Sequence, residues 1–227
     1  MADPARVVAI LPAAGAGNRL RSVTAHPKQF FHLAGKPILT HTLSVFERCD
    51  VIHECVVVAP AEAIEQVWND IVNPFGIGKV RQVVAGGSTR QESVENGVTA
   101  AGTDPPEIVV VHDGVRPFVT AEMIAASVGA ARQHGGGVAG IPAVDTIKTV
   151  RDRRIEATID RSILWYAQTP QAFRFELLQE AYRKANEDQF VGTDEAMLVE
   201  HLGRLVVMVE GSLNNIKITT PEQLVMA

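Results

Sequence analysis

Apolar positions along this chain follow two periods that take turns. Short β-branched runs at residues 7–11, 54–60, 80–85, 108–111 and 138–142 read as strands buried on both faces. Between them, residues 38–49, 61–72, 94–101 and 121–134 carry apolar side chains at the three-and-four spacing of a helix. Pro37 stands at the first-turn position of the first helix, and Ser88 is the expected N-cap of the third. Strand alternating with helix predicts an α/β chain with a doubly wound, mostly parallel sheet and ligands at the carboxyl ends of its strands.

After residue 142 the rhythm changes. Residues 145–150 and 155–160 alternate apolar and polar across the charged turn 151–154, which predicts a two-stranded hairpin arm. An isolated hairpin is marginal in water, so the arm is expected to pack on a partner. Residues 165–171 bring the chain back to the body, and Thr169, preceding Pro170, is expected to be extended with its hydroxyl at the ligand rim. Helices follow at 175–184 and 193–201, the latter capped by Thr193 or Asp194 with Glu195 in its first turn. Short strands are expected at 205–210 and 215–218, and Thr220, Pro221 and Glu222 open a last helix.

Composition narrows the class. With 227 residues and no low-complexity linker, one domain spanning 1–227 is expected, with the arm at about 145–161. A net charge of -5 leaves no basic footprint, which argues against nucleic acid as a partner. Asp3 and Pro4 spoil the basic start of an export signal and Pro12 cuts its apolar run, while no other segment approaches a membrane span. Cys49 and Cys55 have neither metal-ligand nor redox spacing and read as packing cysteines of a cytoplasmic protein.

The chemistry is carried by three loops at the predicted strand ends: residues 12–28, 86–93 and 112–117. In the first, Pro12, Gly15 and Gly17 stop the strand, and Ala13, Ala14 and Ala16 leave the backbone bare enough to turn N–H groups toward a polyphosphate. Arg19, Arg21 and Lys28 add cations. There is no G-x-x-x-x-G-K-[ST], and AGAGNRL lacks the third glycine of a dinucleotide fingerprint, so neither a P-loop ATPase nor an NAD enzyme is supported. In the second loop, Gly86 and Gly87 let the main chain approach a flat base whose edge Ser88 and Ser93 can hydrogen-bond; a capped helix start with Arg90 in solvent is the other reading. In the third, Asp113 can hold a ribose hydroxyl or a divalent cation and Arg116 can fork a phosphate, or Asp113 caps the helix near Thr120. His112 reads as packing or as a support behind the site residues, since no other His is placed to make a metal site with it. Lys217 either snorkels to solvent or binds phosphate, and spacing leaves both open.

The segments LPAAGAGNRL, HPKQF, VAGGSTRQESV, HDGVRPF, PAVDTIK, IDRSILWYAQTPQAF, TDEAMLVE and NNIKITTPEQL, in this order from about residue 6 to the end, resemble the 2-C-methyl-D-erythritol 4-phosphate cytidylyltransferases of the non-mevalonate isoprenoid pathway. The resemblance implies a Rossmann-like nucleotidyltransferase sheet and a homodimer. It also implies transfer of CMP from CTP to a methylerythritol phosphate with release of pyrophosphate, and Mg2+ held mainly on the CTP phosphates. By that match Arg19, Lys28, Arg161 and Lys217 are the catalytic cations, and Pro12, Ala13, Ala14, Gly15, Ala16 and Gly17 hold the triphosphate. Gly87, Ser88 and Ser93 lie at the cytosine, and Asp113 stands near CTP and the metal. Asp113, Arg116, Thr169, Thr193 and Lys217 line the acceptor side, joined by Thr146 and Arg161 from the arm of the second subunit. Two positions depart from the family pattern: Gly114, where alanine is common, and Ser88, where an acid is often found, which leaves open what contacts the cytosine amino group. Ribitol 5-phosphate cytidylyltransferases share the fold, CTP and a similar D-x-V-R-P-F loop, but usually read L-A-G-G at the glycine loop. A non-catalytic binding module on this fold predicts loss of Arg19 or Lys28, and both are present.

Overall fold

Strand β1 (Val7–Pro12) sends Val7, Ala9 and Leu11 into one apolar core and Ile10 into another, because successive side chains of a strand point to opposite faces. The computed structural model describes residues 6–15 and 30–227. Past β1, the short pair β2 (His32–Leu33) and β3 (Lys36–Pro37) leads into α1 (Ile38–Arg48), and β4 (Glu54–Ala59) follows. The helix expected over 61–72 is broken. A 3-10 turn (Ala61–Ala63), the four-residue α2 (Ile64–Val67) and a π turn (Trp68–Val72) replace it, and the Asn73 N–H reaches five residues back to the Trp68 carbonyl.

β5 (Val80–Ala85), α3 (Arg90–Ala101), β6 (Ile108–Val111), α4 (Ala121–His134) and β7 (Gly136–Pro142) complete the alternating half. The arm, β8 (Ile147–Arg151) and β9 (Arg154–Ile159), is a two-stranded sheet of its own. Its turn residues Asp152 and Arg153 both lie in the left-handed region (φ 47° and 64°), the geometry whose twist suits a two-residue hairpin loop. A 3-10 turn (Arg161–Ile163) then leads into β10 (Trp165–Arg174), α5 (Phe175–Glu187), α6 (Glu195–His201), β11 (Val207–Glu210) and α7 (Pro221–Met226).

The main sheet has seven strands in the order β11-β7-β10-β6-β1-β4-β5. β1 is parallel to β4 and β6, β4 to β5 and β7 to β11, while β10 runs antiparallel to both its neighbours. Leu39, Leu43 and Phe46 of α1 and Ile124 and Val128 of α4 fill one face. Val94 and Val98 of α3, Leu178 and Tyr182 of α5 and Leu198 of α6 fill the other, as a doubly wound sheet requires.

Two further expectations need correction. The N-cap of α3 is Thr89, whose side chain accepts from the Glu92 N–H, and Ser88 stands one residue outside the helix. Residues 215–218 form no strand, because their backbone groups are engaged elsewhere: Arg116 Nη1 donates to the Asn215 carbonyl at 2.6 Å and the Ile218 N–H to the Val115 carbonyl at 3.0 Å. Those bonds tie Lys217 to the loop after β6. Among the described residues no helix is long and apolar enough to cross a membrane.

Candidate active site

The carboxyl ends of β1, β5 and β6 open into one cleft of about 380 Å3. Pro12, Ala13, Ala14 and Gly15 form one wall, Gly87, Ser88, Thr89, Arg90 and Ser93 the opposite one, and Asp113, Val115 and Lys217 the floor. Beside the floor, a Cβ at Gly114 would lie 2.9 Å from Leu39 Cδ1, so a methyl group there fits only if the end of the Leu39 side chain gives way.

Asp113 is the electrostatic centre. Its carboxylate meets Lys217 Nζ at 2.9 Å, Arg116 Nε at 3.3 Å and Arg90 Nε at 3.9 Å. Burial alone would raise its pKa, but Lys217, Arg90 and Arg116 more than offset this and hold the carboxyl well below the usual carboxylate range. The acid is therefore a permanent anion that gathers cations at the cleft floor. It does not cap the helix near Thr120, since Thr120 caps α4 itself.

Behind Asp113 runs a closed hydrogen-bond circuit. The Asp113 N–H donates to Thr169 Oγ1 at 3.1 Å, and Thr169 Oγ1 lies 3.1 Å from His112 Nδ1. His112 Nε2 is 3.2 Å from the Arg116 carbonyl, which can only accept, so Nε2 carries the proton and Nδ1 receives the Thr169 hydroxyl. The Thr169 hydroxyl is thus turned inward rather than to the rim, and the Thr169–Pro170 bond is cis. Burial drives the His112 pKa down from 6.5 to about 4, outweighing the Arg116 carbonyl and the Asp113 charge, which pull upward. The unfolded chain then binds more protons than the folded one between pH 6.5 and about 4, so stability is full above this window and falls as pH drops through it. We expect a loss of roughly 3 kcal/mol across the window. Urea unfolding at stepped pH checks this, and His112→Gln should flatten the slope.

Arg90, whose solvent-exposed reading is overturned, is clamped. Its Nη1 and Nη2 donate to Glu195 Oε1 and Oε2 at 2.8 and 2.9 Å, and the Tyr182 hydroxyl donates to Glu195 Oε1 at 3.2 Å. Burial acts to lower the Arg90 pKa, yet the Glu195 charge and bonds raise it well above its ordinary value. A fork of this kind fixes orientation as well as charge. Glu195→Ala should cost roughly 2–3 kcal/mol by leaving Arg90 with the longer Asp113 contact in place of the fork, the figure for a fully buried pair being reduced because a third of Arg90 is in solvent. Thermal melts of Glu195→Ala and Glu195→Gln, with the larger loss in the former, test it.

A glycine-loop cleft with a cation-gathering acid fits several nucleotide-using enzymes, and comparison with known proteins decides among them. The profile of the 2-C-methyl-D-erythritol 4-phosphate cytidylyltransferase (IspD) family matches residues 7–227. The chain belongs to this family. It is 47% identical over 223 residues, 98% of this chain and 94% of the relative, to the 2-C-methyl-D-erythritol 4-phosphate cytidylyltransferase of Syntrophus aciditrophicus (strain SB). It is 46% identical to that of Geobacter metallireducens (strain ATCC 53774 / DSM 7210 / GS-15), over 97% of this chain and 95% of the relative. The crystal structure of 4-diphosphocytidyl-2C-methyl-D-erythritol synthase from Anaerococcus prevotii DSM 20548 superposes with a TM-score of 0.85 at 32% identity, covering 99% of this chain and 97% of that one. The Rossmann-like nucleotidyltransferase sheet expected of the chain is therefore its fold.

Against this family background, the residues expected at the site divide in three. Pro12, Ala13, Ala14, Gly15, Gly87, Ser88, Ser93, Asp113 and Lys217 line one cleft, and Arg116 and Thr169 contact Asp113 directly. Thr193, exposed with its hydroxyl against Met197 Sδ at 3.7 Å, and Thr146 and Arg161 on the arm lie outside the lining; Arg161 Nη1 donates to the Val144 carbonyl. Ala16, Gly17, Arg19 and Lys28 lie outside the described residues. The residues that sequence reasoning missed are Glu195 and, as a fixed part of the wall, Arg90. Their partnership spans 105 positions and leaves no local signal.

Proposed function

We propose that this cleft carries out the reaction of its family: it transfers CMP from CTP to 2-C-methyl-D-erythritol 4-phosphate, giving 4-diphosphocytidyl-2-C-methyl-D-erythritol and pyrophosphate. An oxygen of the acceptor phosphate attacks the α-phosphorus, the bond from that phosphorus to the β-phosphate bridge breaks, and pyrophosphate leaves with the electron pair. The acceptor phosphate is already anionic at neutral pH, so the site needs cations to offset charge on the transferring group more than it needs a general base. The observation that carries this reading is the Asp113 cluster, an anion that fixes Lys217 and Arg116 beside the glycine-loop wall. Lys217 and Arg116 serve the acceptor phosphate, and Thr169 holds the Asp113 backbone in place. Arg19 and Lys28 stabilise charge on the α-phosphate, while Ala16 and Gly17 extend the triphosphate loop.

Mg2+ is the cofactor in this reading. Among the described residues no group of three His, Cys, Asp or Glu could hold a metal ion, which suits an ion that dehydrates reluctantly and binds through substrate phosphates with one or two carboxylates. Asp113 fits as that carboxylate, because Oδ2 carries Lys217 and Arg116 while Oδ1 has only the longer Arg90 contact. Bound there, the ion would neutralise phosphate charge.

The chain works as one catalytic domain in a homodimer. The arm of each subunit reaches over its neighbour, bringing Thr146 and Arg161 to the partner's acceptor site with Thr193 at the rim. Supporting this are Val150, Ile155, Ile163 and Val144, exposed at 56%, 66%, 78% and 64% on or beside a hairpin with no core of its own. The protein is cytoplasmic in this reading, with Cys49 and Cys55 as free, buried thiols. Pyrophosphate release with CTP and each of two acceptors is the test. The methylerythritol ester should far outrun ribitol 5-phosphate, and the opposite ranking would assign the chain to ribitol 5-phosphate.

A further inference from the structure

Ser88 lines the cleft with its donors already engaged. Glu92, in the first turn of α3, folds back over Gly87, and its Oε2 accepts from the Ser88 N–H at 2.7 Å and from the Ser88 hydroxyl at 2.6 Å. An acid that only capped the helix would take the N–H of the N-cap residue, here Thr89. Glu92 draws on the Thr89 N–H as a cap would, and its two short bonds take both donors of Ser88 as well. Gly87 permits the fold-back, since a Cβ there would lie 2.4 Å from Glu92 Cβ and 2.8 Å from its Oε2. The neighbouring donors are engaged too: the Gly87 N–H donates to Ser93 Oγ at 3.1 Å, and the Ser93 hydroxyl to the Thr89 carbonyl at 2.8 Å.

A carboxylate can only accept, so the Ser88 proton points at Glu92 and the Oγ lone pairs are left for the cleft. The Ser88 bonds hold the Glu92 carboxyl below its usual range, so it keeps this acceptor role at neutral pH. With four donors committed, this wall offers a base acceptors. Cytosine presents an exocyclic amino group, a donor, where uracil presents a carbonyl, an acceptor. We propose that Glu92 is a specificity-determining residue, which acts through Ser88 to make the wall accept the amino group of cytosine and repel the carbonyl of uracil. The proposal rests on the CTP reading above.

The test measures kcat/KM and equilibrium binding for CTP and UTP in the wild type, Glu92→Gln and Ser88→Ala. The amide of Glu92→Gln can donate as well as accept, which frees the Ser88 hydroxyl to turn toward a carbonyl. The CTP-to-UTP ratio should fall roughly tenfold or more in both variants, the scale of one hydrogen bond to a charged group. A purely structural role would weaken both nucleotides alike and leave the ratio unmoved. An unchanged ratio in Glu92→Gln overturns the proposal, whatever Ser88→Ala does, and the binding ratio decides if turnover is lost. A wild type that binds CTP without releasing pyrophosphate overturns the functional reading instead.

Discussion

Lys28→Ala and Arg161→Ala are each expected to lower turnover by about a hundredfold or more, and a mixture of the two to recover activity that neither has alone. The first loss follows because charge on the phosphates grows toward the transition state, where a positioned cation is worth most. Lys28 lies outside the described residues, and its role comes from the family match. Recovery follows from two-fold symmetry. If Arg161 completes its neighbour's site, a mixed dimer has one site lacking both residues and one retaining both. Statistical exchange makes half the dimers mixed, so about a quarter of all sites return. If subunit exchange is confirmed independently and no activity returns, Arg161 acts within its own chain or not at all. The exposed apolar residues of the arm motivate the trans assignment, since Val150 and Ile155 are 56% and 66% exposed.

Asp113→Asn should have the other large effect. The amide keeps the shape but removes the charge that draws in Lys217, Arg116 and Arg90. With three cations facing a neutral group, we expect turnover to fall about a hundredfold and stability by roughly 3 kcal/mol. Because the pKa of Asp113 is depressed, its stabilising contribution is complete above the ordinary carboxylate range and is lost only as pH falls through the folded-state value. Acid loss between pH 6.5 and about 4 therefore belongs to His112 and should persist in Asp113→Asn. Steady-state kinetics and urea unfolding at pH 5 and 7 separate the outcomes. A stable variant with full turnover would remove Asp113 from the centre of the site.

Strands β1, β4, β5, β6 and β7 were legible because they are short apolar runs, a signal contained within each segment, whereas β10, ten residues with Pro170 inside it, has no such run and read only as a return to the body. α4 spans residues 121 to 134 as its apolar spacing predicts, but its cap is Thr120 rather than the Asp113 that the sequence offered. Residues 61–72 have the apolar spacing of one helix, but the hydrogen-bond pattern changes twice within them, which spacing does not record. Residues 215–218 have the composition of a strand, yet Arg116, 99 positions away from Asn215, takes the carbonyl that a ladder would use. The site divides the same way. Asp113 and Arg116 stood out because an acid just beyond a buried strand faces the ligand side of such a sheet. The circuit through His112 and Thr169 joins residues 57 apart, and no pattern along the chain foretold its direction. The Ser88 and Glu92 pair is local, but the fold-back became visible only with Gly87 and the donor directions in view.

The central claim is that the cleft joins CMP to an acceptor phosphate, and 31P NMR of CTP, the methylerythritol ester, Mg2+ and the purified protein tests it most directly. The account predicts that CTP disappears as one pyrophosphate and one cytidine diphosphate ester form together, in equal amounts, and that omitting the acceptor stops both. CTP bound with no turnover, or CMP and pyrophosphate formed without any ester, would contradict it.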